Sequence, residues 1–193
     1  MSTKAEESGF VSRAGLKLAS AMDHFRVDPT GLVCADLGAN VGGFTDCLLR
    51  RGAGKVYSVE TGFGVLEYKL RKDPRVVVME RTNALHVRLP ELVDLAVIDL
   101  GWTPQRLILP RVRELIKPEG QIISLIKPHY ESAKELLHLR GGVLDPSDSE
   151  KVFRRIVQAI PEWKLTVIGW MQSPITGMGG NVEYLVLLKN FGF

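Results

Sequence analysis

The chain has 193 residues, 45% of them hydrophobic, with a formal net charge of +3 and two cysteines. That length suits one domain with a core of its own, and the even spread of apolar residues excludes a disordered or fibrous chain. Two cysteines exclude a disulfide scaffold, no apolar run could span a bilayer, and the polar N-terminus reads as no secretory leader, so a cytoplasmic setting is expected.

Residues 1–10 read as a disordered lead and 11–193 as one domain. Ser12 is expected to cap a helix whose apolar positions Leu18, Ala21, Met22 and Phe25 recur at helical spacing, with Lys17 beside that stripe. Asp28-Pro29-Thr30-Gly31 then turns the chain into the stretch Val33-Cys34-Ala35-Asp36-Leu37-Gly38-Ala39-Asn40-Val41-Gly42-Gly43-Phe44-Thr45. It reads as a buried strand, a glycine turn and a helix running to about Arg51. Further strands are expected at 55–60, 75–80, 93–100, 121–127, 164–171 and 182–188, with helices at 62–72, 104–116 and 145–160. Asp145-Pro146 supplies the last helix with an N-cap and a first-turn proline, and 129–144 reads as an irregular insertion. The last two strands are joined without a helix and should pair antiparallel. The whole is a doubly wound α/β sheet of seven strands with an antiparallel C-terminal hairpin.

The spacing Asp-x-Gly-x-x-x-Gly-Gly from Asp36 is not that of a dinucleotide site, and no Gly-Lys-Ser/Thr follows to grip a phosphate. Such a loop suits a cofactor with an adenosine and no phosphate, such as S-adenosylmethionine; the other reading is an ordinary strand–turn–helix corner. Candidate binding residues in it are Asp36, Gly38, Asn40, Gly42, Gly43 and Phe44. Polar residues recur at the carboxyl ends of strands, the edge where open α/β sheets bind ligands: Asp36, Glu60, Asp99 and Lys127. Glu60 is placed to hold a ribose diol or is a surface residue, and Asn83 contacts adenine or forms a turn. Asp99 and Lys127 should end side by side, as reacting groups or as a simple ion pair. Lys17 and Glu183 offer a second pair at the same edge, because the last strand runs the opposite way. The four histidines, His24, His86, His129 and His138, show no metal-ligand spacing and read as surface or packing residues.

Several blocks together resemble a known family. Val11-Ser12-Arg13-Ala14-Gly15-Leu16-Lys17-Leu18, residues 36–46, Arg81-Thr82-Asn83, Val97-Ile98-Asp99, Ile126-Lys127-Pro128 and residues 173–183 are similar, in order, to blocks of the FtsJ-like RNA 2′-O-methyltransferases. Among these, the chain most resembles the TlyA-type, hemolysin-like ribosomal RNA methyltransferases. The resemblance implies a Rossmann-like class I methyltransferase fold and S-adenosylmethionine as cofactor. It also implies a Lys-Asp-Lys-Glu tetrad on Lys17, Asp99, Lys127 and Glu183, with Asp99 serving the cofactor as well. The implied reaction is methyl transfer to an RNA ribose 2′-hydroxyl, with ribosomal RNA the expected partner and no membrane involved. Lys127 is the candidate proton acceptor, a task a lysine performs only as the neutral amine.

Two features depart from that pattern. TlyA-type proteins usually carry an S4 RNA-binding domain ahead of the opening signature, which ten residues precede here. RNA docking is then expected to fall to basic clusters of the chain or to a helper protein. Arg106, Arg111, Arg113 and Lys117 are the leading cations; Arg50-Arg51, 69–75 and Arg154-Arg155 are further clusters, and any of them could equally be a solvated helix face. Where the family tends to have Ser-Phe after the fourth-strand Asp, this chain has Gly101-Trp102. Trp102 is expected to fill a core gap, the other reading being a stack on a substrate base. Two alternatives remain: the same chemistry on a small hydroxylated molecule, and a binding module without turnover.

Overall fold

The computed structural model describes residues 9–131 and 141–191. His138, residues 1–8 of the expected lead and most of the insertion lie outside the described residues. Among the described residues the strands are β1 (Val33–Leu37), β2 (Lys55–Val59), β3 (Val76–Met79), β4 (Val93–Ile98), β5 (Ile116–Ile126), β6 (Leu165–Gln172) and β7 (Tyr184–Asn190). They form one sheet in the order β3-β2-β1-β4-β5-β7-β6. The first five are parallel, and β7 inserts antiparallel between β5 and β6.

Period-two alternation along the strands makes two apolar faces, each of which must be covered. Cys34, Leu95, Val97, Ile123 and Leu125 face the layer formed by α1 (Ala14–Phe25) and α2 (Gly43–Arg50). Ala35, Leu37, Ala96, Ile98 and Ile122 face the other way. A short α3 (Tyr68–Arg71) precedes β3, and α4 (Gln105–Arg113) covers the second face with α6 (Pro146–Ala159). A single turn, α5 (Pro128–Glu131), follows β5. Asp145 does cap α6, accepting from the Ser147 N–H at 2.9 Å, a bond worth about 1 kcal/mol.

Three local expectations are corrected. Ser12 does not cap α1 with its side chain; Arg13 holds the N-cap position, and the Ser12 carbonyl accepts from Gly15 N–H instead. The helix expected over 62–72 shrinks to Tyr68–Arg71, because Glu80 accepts from Val65 N–H at 3.1 Å and Gly64 adopts φ +72. The helix expected over 104–116 ends at Arg113 and β5 begins at Ile116 rather than 121, Ile116 pairing with Val93 before a register shift. None of these moves a strand end on the carboxyl edge, where the candidate site lies.

Candidate active site

The glycine turn after β1 is clamped by its neighbours. The Val59 carbonyl accepts from the N–H groups of Gly38 and Ala39 at 2.9 and 3.0 Å, and Leu37 accepts from Asp99 N–H at 3.0 Å. Gly38 has φ +93, and a Cβ there would stand 2.5 Å from the Asp99 carbonyl oxygen, so only glycine fits. The turn opens a cavity of about 590 Å³ whose wall includes Gly38, Asn40, Gly43, Phe44, Glu60, Asn83 and Asp99. That is ample for a nucleoside-sized ligand.

Two loop residues expected on that wall stand elsewhere. Gly42 has φ +101, and a Cβ there would strike Leu70 and Leu66, so it serves packing against α3. Asp36 is wholly buried behind the turn, accepting from the Thr45 hydroxyl at 2.6 Å, while its Oδ1 has no partner. Burial pushes the Asp36 carboxyl up to about 7, against the Thr45 hydrogen bond and with help from the charges of Asp99 and Glu60.

Glu60 faces the cavity, yet its oxygens already hold backbone. Oε2 accepts from Asn40 N–H at 2.9 Å and Oε1 from Gly62 N–H at 2.8 Å. Burial raises its pKa, but these donors outweigh it and leave the carboxyl below its ordinary value. Asn83 is similarly double: it lines the cavity while its Oδ1 accepts from Leu85 N–H at 2.9 Å in a turn.

Beside this cavity lies a second of about 290 Å³, walled by Arg13, Lys17, Lys127, His129, Tyr130 and Glu183 among others. Lys127 borders both. Its Nζ lies 2.5 Å from Asp99 Oδ1, because β4 and β5 run parallel and both residues follow their strands' last turns of ladder. The antiparallel β7 pairs Tyr184 with Ile126, which carries Glu183 to the same edge. There Glu183 meets Lys17 of α1 in a buried ion pair. Gly177 makes room for it, since a Cβ there would lie 2.3 Å from Glu183 Oε1. The four tetrad residues thus converge on the two cavities.

Three aromatic side chains continue the wall outward. His129 is buried, its ring centroid 4.1 Å from that of Tyr130, which lies 4.5 Å from Trp102. Burial, with the charges of Lys127 and Lys17, pushes the imidazole down to about 4, so it is neutral at physiological pH. Of the two readings given to His129, surface or packing, the structure has packing, on the wall of the smaller cavity. Trp102 fills no core gap. It is 77% exposed, and its φ of +60 turns it outward from the end of β4.

The expected basic patch also changes. Arg111 is bonded to the Leu85 carbonyl and to Glu114, and Lys117 lies 2.7 Å from Asp94. Lys117 sits at the start of β5, on the edge away from the site, whereas Arg106 lies in the first turn of α4, shortly after the cavity-lining Thr103. No helix among the described residues is long and apolar enough to cross a membrane.

A parallel sheet with a glycine turn after its first strand and an antiparallel last pair defines the Rossmann-like methyltransferase class. TYW2 of M. jannaschii, solved with AdoMet, shares this fold at TM-score 0.57 and 16% identity, over 93% of this chain and 77% of its own. The FtsJ-like methyltransferase model matches residues 10–190, and the chain belongs to that family. It is 37% identical over 187 residues to the 16S/23S rRNA (cytidine-2′-O)-methyltransferase TlyA of Mycobacterium tuberculosis, across 95% of this chain and 69% of that protein. A hemolysin-type protein of Lactococcus lactis superposes at TM-score 0.89 with 35% identity, covering 95% of this chain and 90% of its own.

Proposed function

We propose that the chain transfers a methyl group from S-adenosylmethionine to a ribose 2′-hydroxyl of RNA, with ribosomal RNA as substrate. The observation that carries this reading is the position of Lys127, on the wall common to two cavities and ion-paired with Asp99. The larger cavity suits the cofactor. Its wall offers the Glu60 carboxylate and Asn83 to a nucleoside, and among the described residues the one lysine or arginine on it, Lys127, is paired with Asp99 rather than set out for a phosphate. The Asp99 carboxylate supplies the negative charge that a sulfonium favours. Gly38, Asn40, Gly43, Phe44, Glu60 and Asn83 would hold the cofactor, which supplies an activated methyl group when bound.

The residues of the smaller cavity then have to align a hydroxyl and take its proton. Lys127 is the group placed to take the hydroxyl proton as the oxygen bonds the methyl and the methyl leaves the sulfur. Asp99 fixes the position of Lys127 through their ion pair, and the Lys17–Glu183 pair walls the hydroxyl side. The TlyA relative is named for cytidine-2′-O methylation of rRNA, which supports the same chemistry here. The test is transfer of labelled methyl to total RNA, compared with a metabolite extract, using wild type and Lys127→Ala. Label entering RNA only with wild type supports the proposal. Label in the extract alone would move the reading to a small hydroxylated acceptor, and label in neither would leave a binding module.

A further inference from the structure

The segment between β2 and β3 carries a feature that the proposed chemistry does not use. Phe63 and Tyr68 are 70% and 67% exposed, among the largest exposures of any apolar or aromatic side chain described. Each has a cation over its ring: the Arg81 guanidinium carbon lies 4.3 Å from the Phe63 centroid, and Lys72 Nζ lies 5.4 Å from that of Tyr68. The other cations of this segment are occupied. Arg71 pairs with Glu80, Arg75 with Asp73, and Lys69 approaches Asp46. Among the described residues Lys72 and Arg81 make no ion pair, so there the two that stack on rings are also the two with charge to spare.

The patch is fixed to the site. Arg81 N–H donates to the Gly62 carbonyl at 3.1 Å, and Glu67 N–H donates to the carbonyl of Val41 at 3.1 Å. Val41 and Val65 line the larger cavity, so the patch forms its outer rim on the Glu60 side. A solvent-facing ring held beside an uncompensated cation suits a nucleic-acid strand: the ring stacks on an unpaired base and the cation neutralises the adjoining phosphate. An apolar protein partner would favour contiguous apolar surface, whereas Gly64 and Glu67 stand between these rings in the chain and Lys69 flanks Tyr68.

We propose that Phe63, Tyr68, Lys72 and Arg81 form a docking surface for single-stranded RNA flanking the target nucleotide. The proposal rests on the RNA reading above. It places RNA capture on the β2–β3 segment rather than on α4.

Two double variants test it, Phe63→Ala/Tyr68→Ala and Lys72→Glu/Arg81→Glu, with a short labelled single-stranded RNA of mixed sequence as probe. Binding is read by anisotropy across a salt series, with cofactor affinity and melting temperature as controls for folding. Loss of the rings should weaken binding by about fivefold or more per ring while leaving the salt slope unchanged. Charge reversal should weaken it and flatten the slope of log affinity against log salt by up to about 1.4, two phosphates at about 0.7 each. Cofactor affinity should stay at the wild-type level in both. If both variants bind RNA with wild-type affinity and slope, the docking surface is refuted while RNA methylation by the wild type can still stand. If the variants lose association with ribosomal subunits but not with free RNA, the surface meets ribosomal protein and the proposal falls. A wild type that neither binds nor methylates RNA would overturn both.

Discussion

Lys127 and Asp99 meet at the ends of two adjacent parallel strands, Nζ to Oδ1 at 2.5 Å, and Lys127 borders both the larger cavity and the smaller one. Their side chains are 16% and 17% exposed, so a substrate reaching either cavity meets a pair that is shielded but not sealed. Lys127→Ala should therefore abolish methyl transfer while leaving cofactor affinity within about threefold of wild type, since most of the larger cavity's wall is untouched. Isothermal calorimetry and a single-turnover assay decide it. Near-wild-type turnover would remove Lys127 as the proton acceptor.

The second pair lies deeper. Lys17 and Glu183 are 8% and 3% exposed, and each would be left as an uncompensated buried charge without the other. Breaking such a pair typically costs about 3–5 kcal/mol, whereas replacing both partners by apolar groups can be neutral. Glu183→Ala should lower the melting temperature far more than Lys127→Ala does. Lys17→Met/Glu183→Leu should recover most of the lost stability without recovering activity. Activity returning with stability would make this pair a scaffold only.

The sheet and its carboxyl-edge chemistry were legible because they rest on short-range rules. Apolar runs leading to Asp36, Asp99 and Lys127 mark strands near their carboxyl ends, and a short connection without an α-helix lets the last two strands pair antiparallel. What could not be read depended on partners distant in sequence. Asp36 looks like a ligand residue until Thr45 and Ser58 close over it. The helical pattern of 62–72 loses to Glu80, which draws Val65 N–H into a loop. Lys117 looks like a free cation until Asp94 appears across the β4–β5 boundary. Trp102 carries no periodicity at all, and its outward direction is set by backbone conformation alone.

That exposure has a direct consequence for stability. A tryptophan filling a core gap would cost about 3–5 kcal/mol on truncation to alanine. Trp102, at 77% exposed and touching chiefly the Tyr130 ring, should cost less than about 1 kcal/mol in Trp102→Ala, measured by urea unfolding. A loss above about 2 kcal/mol would contradict the exposed position.

Two buried groups give the protein opposing pH dependences. Asp36 is raised from 3.8 to about 7, so the folded state holds a proton that the unfolded chain gives up earlier. Its contribution is fully present below pH 3.8 and is lost as pH rises through about 7. His129 is lowered from 6.5 to about 4, so its contribution is present above pH 6.5 and lost as pH falls through about 4. Between those limits the two slopes have opposite signs and partly cancel. Asp36→Asn should therefore become more favourable relative to wild type on going from acid to neutral pH, by up to about 4 kcal/mol in the difference. His129→Gln should instead expose the Asp36 slope, with stability falling steadily as pH rises. Parallel stability curves for wild type and Asp36→Asn across this range would refute the raised carboxyl.

The cofactor assignment is best tested at Glu60. Gly38 is a poor probe, because its φ of +93 and the Asp99 carbonyl 2.5 Å from a would-be Cβ make any side chain there damage the fold itself. Glu60 separates the two effects. Its Oε2 and Oε1 hold the N–H groups of Asn40 and Gly62, and the same carboxylate faces the cavity. Glu60→Gln keeps one acceptor oxygen and the side-chain volume but loses the charge and the second acceptor. Glu60→Ala loses the loop anchor entirely. If the carboxylate binds a ribose diol, Glu60→Gln should weaken S-adenosylmethionine binding by about tenfold, the scale of one charge-assisted hydrogen bond, with a melting temperature near wild type. Glu60→Ala should weaken binding further and also lower the melting temperature. The outcome that would confine Glu60 to holding the loop is wild-type cofactor affinity in Glu60→Gln, measured calorimetrically, alongside a destabilised Glu60→Ala.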